Sequence, residues 1–193
     1  MATPIAHASA GLACVALVDL ALPGRLSRPL TAAALGCAVA ACLPDLDIAA
    51  SLLFTGSPMA WHSGPTHTVA FAVLVGLVAA RMLRGRPDGS AMALSLGLAT
   101  GSHVLVDFLT GPNWGWHRSF GVPALWPWIT ERLTSPFTVF RGVKHGSIAI
   151  WFSAHNLTTA AAELIFAAPV VALCWRRLSG RSAATRSCDS QTG

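Results

Sequence analysis

His7, Asp45, Asp47, His62, His67, His103 and Asp107 lie inside or at the ends of long apolar segments, in a chain of 193 residues of which only 11% are charged. An ionisable side chain within a membrane span costs about 2.5–3.5 kcal/mol on insertion scales. A chain keeps this many there only if they satisfy one another or a metal ion. His103 and Asp107 stand at i and i+4, so on a helix their Cβ atoms are about 5–6 Å apart on one face. Imidazole with carboxylate is a donor set that suits a first-row divalent ion. Alone, the pair reads equally well as a His–Asp hydrogen bond between two buried groups. Its company of further histidines at the same depth favours metal.

Leu43-Pro44-Asp45-Leu46-Asp47 interrupts an apolar run. Pro44 removes a helix hydrogen bond, and freed backbone at membrane depth is tolerated where it is buried in protein or lines a cavity. Asp45 and Asp47, two apart, point apart on a regular helix; a break lets them converge. Asp45 is the expected ligand, and Asp47 either caps a new helix near Ile48 or orients a ligand. In Trp61-His62-Ser63-Gly64-Pro65-Thr66-His67-Thr68, Ser63 or Thr66 can N-cap a helix and Pro65 fits its first turn. His117 and His145 sit beside basic residues and read as surface groups. His155 and Glu163 are about 12 Å apart along a helix rising 1.5 Å per residue, too far to share an ion. Glu163 falls near mid-membrane, where it needs a partner or a proton.

The elements that must position these groups are membrane helices. The chain is 53% hydrophobic, with a mean hydropathy of +0.57, whereas soluble domains carry roughly 25% charged residues. Five apolar segments run near 5–22, 29–54, 65–83, 90–110 and 147–175, separated by Gly/Pro turn signals. The expectation is an all-α polytopic membrane bundle of about five spans, with a metal site near the outer leaflet. Residues 1–178 form one embedded domain and 179–193 a disordered tail. Cys14, Cys37, Cys42 and Cys174 lie in apolar runs without C-x-x-C spacing and read as small buried hydrophobes. The N-terminal segment lacks a basic stretch, which argues against a cleaved signal.

Nine of the thirteen basic residues follow segments 1, 3 and 5. The positive-inside rule puts those ends in the cytoplasm, which also accounts for the net charge of +5 without nucleic acid. The N-terminus and the 111–146 loop are then outside, the C-terminus is cytoplasmic, and all seven candidate residues fall on the outer side at similar depth. That loop is expected to contain short helices. With Trp114, Trp116, Trp126 and Trp128 it can lie on the membrane over the site.

Taken in order, His7, Leu43-Pro44-Asp45-Leu46-Asp47, His62 to Thr68, His103 to Asp107 and Leu125-Trp126-Pro127-Trp128 resemble the YdjM-like family of inner-membrane-associated proteins read as metal-dependent hydrolases. Its pattern is an N-terminal His, LPDxD, HRGxTHS, HxxxD and an LWPF-like stretch. The likeness covers roughly residues 5–170. Ser63 stands where the family usually has Arg, and Thr68 where it has Ser, so an anion clamp at position 63 is missing. The motif order is also similar to that of zinc-dependent phospholipase C, although His155 is followed four residues later by Thr159 rather than an acid.

The resemblance implies hydrolysis, of a phosphoester in a membrane lipid or lipid-linked substrate, at a bacterial inner membrane. The expected metal residues are His7, Asp45, His67, His103 and Asp107, and the expected catalytic residues are Asp47 and His62. The ion is zinc, with Mn2+ or Mg2+ as alternatives. A competing reading is a non-enzymatic metal-binding membrane protein: a sensor, a transport component or a scaffold. A proton or ion carrier ranks below both, because it requires acids spread across the membrane depth.

Overall fold

The computed structural model describes residues 1–27, 30–145 and 148–189. It is mainly helical. α1 (Pro4–Ala21) leads to α2 (Thr31–Cys42), a 3-10 turn (Leu43–Asp45) and α3 (Leu46–Thr55). A second 3-10 turn (Pro65–His67) precedes α4 (Val69–Met82) and α5 (Gly89–Phe108). Two short strands follow, β1 (Thr110–Gly111) and β2 (Phe140–Arg141), then α6 (Ile148–Trp151) and α7 (Ala154–Asp189). Four stretches are long and apolar enough to cross a membrane: Pro4–Ala21, Thr31–Thr55, Gly89–Phe108 and Ala154–Arg176.

The third of the five expected spans differs. α4 has 14 residues, about 21 Å at 1.5 Å per residue, against a hydrocarbon core of about 30 Å. The cause is local. Residues 65–67 form a 3-10 turn, and Thr68 is extended (φ −123°, ψ 155°) and caps α4 by accepting from the Phe71 backbone N–H. The helix therefore begins four residues later than its apolar run suggests, and His67 is left on the turn.

α5 is the hub, packing against α1, α2 and α4, while α7 packs on α1. The central core is rich in small residues: Ala33, Ala34, Cys37, Ala40, Ala41, Ala91 and Ala99 surround Val15, Val18, Leu26 and Leu30. Small side chains let helix backbones approach closely in lipid. Gly76 of α4 and Gly97 of α5 face each other so closely that a Cβ on Gly97 would sit 3.2 Å from the Gly76 Cα. Large apolar side chains point outward instead. Leu35, Val39, Leu53, Leu77, Ile165 and Leu173 are all exposed, as expected of a bundle surrounded by hydrocarbon.

The segment between α5 and α6 departs from the expectation of short helices. β1 and β2 pair in parallel, Thr110 with Phe140 and Gly111 with Arg141. Isolated bridges join Gly115 to Thr138 and Val122 to Leu133. Pro112, Pro123, Pro127 and Pro136 leave no run in which a helix could propagate. Trp114, Trp116, Trp126 and Trp128 are exposed on it. The assigned helix of α7 extends to Asp189, into the segment expected to be a disordered tail; residues 190–193 of that tail lie outside the described residues.

Candidate metal centre

Pro44 shapes the site first. The chain tightens to 3-10 geometry at Leu43–Asp45, and two carbonyls of the preceding turn take partners from α5. Thr100 donates its hydroxyl to the Ala40 carbonyl at 3.3 Å, and His103 donates Nδ1–H to the Ala41 carbonyl at 2.8 Å. A carbonyl can only accept, so the proton of His103 sits on Nδ1 and its Nε2 carries a lone pair. That Nε2 lies 3.6 Å from Asp45 Oδ1 and 3.4 Å from Asp107 Oδ2.

His67 enters from the opposite side. Its Nε2 is 3.6 Å from Asp45 Oδ1 and 3.8 Å from Asp107 Oδ2. Its Nδ1 lies 3.0 Å from the Thr66 hydroxyl and 3.3 Å from Asp47 Oδ2. Asp45 and Asp47 thus converge on one imidazole from its two nitrogens, which a continuous helix would not permit. His7, one turn into α1, stacks on His103 with ring centroids 3.8 Å apart, and its Nε2 is 3.6 Å from Asp107 Oδ1. His7, His67 and His103 have no solvent exposure.

The separations between the Nε2 atoms of His7, His67 and His103 and the carboxylates of Asp45 and Asp107, 3.4–3.8 Å, are longer than ordinary hydrogen bonds and suit an ion between the groups. Bonds of about 2.0–2.2 Å to N and O in a tetrahedral site put neighbouring donor atoms about 3.3–3.5 Å apart. Four donor separations around Asp45, His67, His103 and Asp107 fall between 3.4 and 3.8 Å. Among the described residues, nine buried side-chain N and O atoms lack a hydrogen-bond partner. Seven belong to His7, Asp45, His67, His103 and Asp107. Buried polar groups are nearly always paired, so this concentration needs an explanation, and a bound cation supplies one. Two carboxylates would balance one divalent charge, and the three imidazoles would complete the donors. His7/His103/Asp107 and Asp45/His67/His103 are each close enough to hold an ion.

The third such group, Asp47/His62/His67, is of another kind, because Asp47 is already satisfied. Its Oδ1 is 2.7 Å from His62 Nδ1, and its Oδ2 accepts from the Thr66 hydroxyl at 2.9 Å and the Ser63 backbone N–H at 3.2 Å. Asp47 therefore fixes the rings of both His62 and His67. The Nε2 of His62 remains buried and unpartnered.

Other candidates fall elsewhere. His155 is 2.9 Å from the Gly142 carbonyl through Nε2. Glu163 accepts from the backbone N–H and hydroxyl of Thr3, at the N-terminus of α1; this is the partner its buried position required. His117 is exposed, as expected. The ligand-type clusters found among the described residues contain no cysteine.

His145 was expected at the surface and is not. It is partly buried, with its ring 5.7 Å from that of His62 and Nε2 unpartnered. Burial, with the nearby positive charge of the chain's amino group and of His62, holds its pKa down at about 4, against the pull of Asp45 and Asp107. Arg132, also unforeseen, donates to the Ser63 hydroxyl at 2.7 Å and the Gly121 carbonyl at 2.8 Å. No spacing rule reaches either residue: the β1–β2 pairing far along the chain returns them to the site.

A family model described as YdjM inner membrane protein matches residues 1–183. No curated protein and no solved structure matches the chain.

Proposed function

The chain belongs to the YdjM inner membrane protein family, and from that premise we propose that it is a membrane-embedded metal-dependent hydrolase of phosphoesters in lipid or lipid-linked substrates. The observation that carries this reading is the convergence of unpartnered buried donors on one point between α1, α5 and the two 3-10 turns. His7, Asp45, His67, His103 and Asp107 are the proposed ligands. Three imidazoles with two carboxylates favour zinc over magnesium, which prefers oxygen.

A divalent ion held by these residues would supply a lowered water pKa, toward about 7, and polarisation of a phosphoryl oxygen. The chain's own residues do the rest. With its Nδ1–H donated to Asp47, His62 offers the Nε2 lone pair to a water proton as the new bond to phosphorus forms. Asp47 steadies the resulting imidazolium, and the same Nε2 returns the proton to the leaving alkoxide as its bond to phosphorus breaks. The outer-side placement, with the N-terminus outside and the C-terminus cytoplasmic, rests on the distribution of basic residues. Reporter fusions at the C-terminus test it; a C-terminus active in the periplasm reverses it.

The test is elemental analysis of purified protein followed by a hydrolysis screen over phosphoesters and phospholipids. The expected result is copurifying zinc and turnover that a chelator abolishes. His62→Gln should lower turnover by about 10²–10⁴-fold with metal retained. The complete burial of three histidines favours a second reading, a closed non-enzymatic metal site in a sensor, transport component or scaffold. Metal-replete protein that cleaves no substrate gives that reading the lead.

A further inference from the structure

Two cavities meet at His145. One, of about 320 Å³, is the more polar of the two, with His62, Ser63, Asp107, Arg132 and His145 on its wall beside Met59 and Phe120. The other, of about 550 Å³, is largely apolar and runs between α3 and α7, past Ile48, Leu52, Phe152 and Leu157. Val143 and His145 line both. Both volumes fall within the range of ligand sites, about 300–1,000 Å³. Asp45, one of the proposed metal ligands, also lines the apolar groove, so the groove reaches the proposed metal centre.

This cavity offers an anion the Arg132 guanidinium and two imidazoles, with the Asp107 carboxylate, a proposed metal ligand, on the same wall. Arg132 is tethered by its NH2 group to Ser63 Oγ and the Gly121 carbonyl, and by NH1 to the Ser63 carbonyl at 3.3 Å. Three of its five donors are used, and the others remain for a ligand. The tether fixes the guanidinium on Ser63, the residue after His62, and both Arg132 and His62 line the cavity. Planar guanidinium is well suited to phosphate oxygens. The unpartnered Nε2 atoms of His62 and His145 belong to residues that line the same cavity. Arg132 thus supplies positive charge at the position where Ser63 itself carries none. The exposed Leu52, Phe152 and Leu157 of the second cavity have hydrocarbon as their natural neighbour.

We propose that the two cavities form one amphiphile site, in which a phosphate-bearing lipid seats its headgroup beside Arg132 and His145 and lays an acyl chain along the α3–α7 groove. The proposal rests on the hydrolase reading for its consequence, since it delivers a phosphoester to the metal centre, but its test reads binding. Arg132 is then the specificity determinant for the charged head, and the groove selects for a chain.

The experiment measures binding of dioleoyl phosphatidic acid, dioleoylglycerol and inorganic phosphate to the purified full chain in a neutral detergent by native mass spectrometry. Phosphatidic acid should bind tighter than either of the others. Arg132→Gln should weaken phosphatidic acid on the order of tenfold, as loss of hydrogen bonds to a charged group does, and leave dioleoylglycerol unchanged. Ala49→Trp, at an exposed groove position, should weaken both lipids and leave inorganic phosphate unchanged. A circular-dichroism spectrum and melting curve of each variant equal to the parent's show that the fold is kept. Phosphate binding as tightly as phosphatidic acid, or no effect of either variant, overturns the proposal. Metal content and cleavage of soluble 4-nitrophenyl phosphate are measured on the same samples. Cleavage without lipid discrimination sinks the amphiphile site alone. Lipid discrimination without metal or cleavage sinks the hydrolase reading and leaves the site standing.

Discussion

At its N-terminal end α5 meets Arg86 and Asp88; in its last two turns it carries His103 and Asp107. Both ends pair a base with an acid, but their condition is opposite. Asp88 accepts from Arg86 Nε at 3.1 Å and NH2 at 3.4 Å, and the Arg86 side chain is 59% exposed. That pair is complete: the Asp88 carboxylate is largely buried, and the arginine that satisfies it reaches into solvent. His103 and Asp107 are buried, and Nε2 of the one and both carboxylate oxygens of the other have no hydrogen-bond partner. The difference separates a charge pair that finishes a turn from a cluster that could hold an ion: the first is satisfied by its own atoms, whereas several polar atoms of the second have no hydrogen-bond partner among the described residues.

The comparison breaks most sharply at Asp107. Its Oδ2 approaches His67 and His103, and its Oδ1 approaches His7. Asp107→Asn removes half of the site's negative charge. Metal affinity should fall by more than the roughly 10–100-fold typical of outer-shell changes. Metal-free Asp107→Asn should be at least as stable as the metal-free parent, since it no longer buries an uncompensated carboxylate. A metal titration and a melting curve in chelator check both. Full metal content in this variant removes Asp107 from the site.

Next in size is Pro44→Ala. Restoring the missing N–H lets α2 and α3 run on as one regular helix, on which Asp45 and Asp47 diverge. Metal affinity should fall about 10–100-fold. Unchanged affinity would show that the 3-10 turn is held by packing rather than by proline. Asp47→Asn acts through the orientation of His67 and should cost metal affinity at the lower end of that range. Its effect on turnover at saturating metal then isolates its service to His62.

The way these residues became visible explains what sequence reasoning reached. His103 and Asp107 were legible because i and i+4 fix proximity whatever the rest of the fold does. Asp45 and Asp47 were legible because a proline inside an apolar run has few meanings. His145 and Arg132 were not, since they come home through a two-residue parallel strand pair and isolated bridges, and such pairing leaves no periodic trace. The start of α4 was misjudged for a related reason. Thr68, extended in its backbone, caps the helix with its hydroxyl, which accepts from the Phe71 N–H, and hydropathy does not register a cap.

Acidity should separate the two ends of α5 more gently. Protons compete with the ion for imidazole and carboxylate, so metal occupancy should decline on acidification through the region of the ordinary His pKa, about 6.5. At the other end, hydrogen bonds from Arg86 hold the Asp88 carboxyl down at about 2. A depressed carboxyl pKa gives a contribution that is present above the unfolded value and lost only as pH falls toward the folded one. Between pH 7 and 5 the metal centre should therefore empty while the turn before α5 keeps its pair. Metal content followed by elemental analysis across that window checks the first half; occupancy constant down to pH 4 would exclude an exchangeable His-rich site.

The smallest effect is expected from Arg86→Gln, and its smallness is informative. Arg86 is a long, solvated side chain, and Asp88 makes no side-chain cap to the first turn of α5. The guanidinium is solvated and its attraction is screened by salt, although the Asp88 carboxylate it satisfies is largely buried. Metal content should be unchanged, and the melting temperature at neutral pH should fall slightly through loss of that partner, with no dependence on added zinc beyond the parent's own. If Arg86→Gln instead lowered metal occupancy, the two ends of α5 would be coupled through the helix. The contrast between a closed pair and an open cluster would then no longer describe two independent sites.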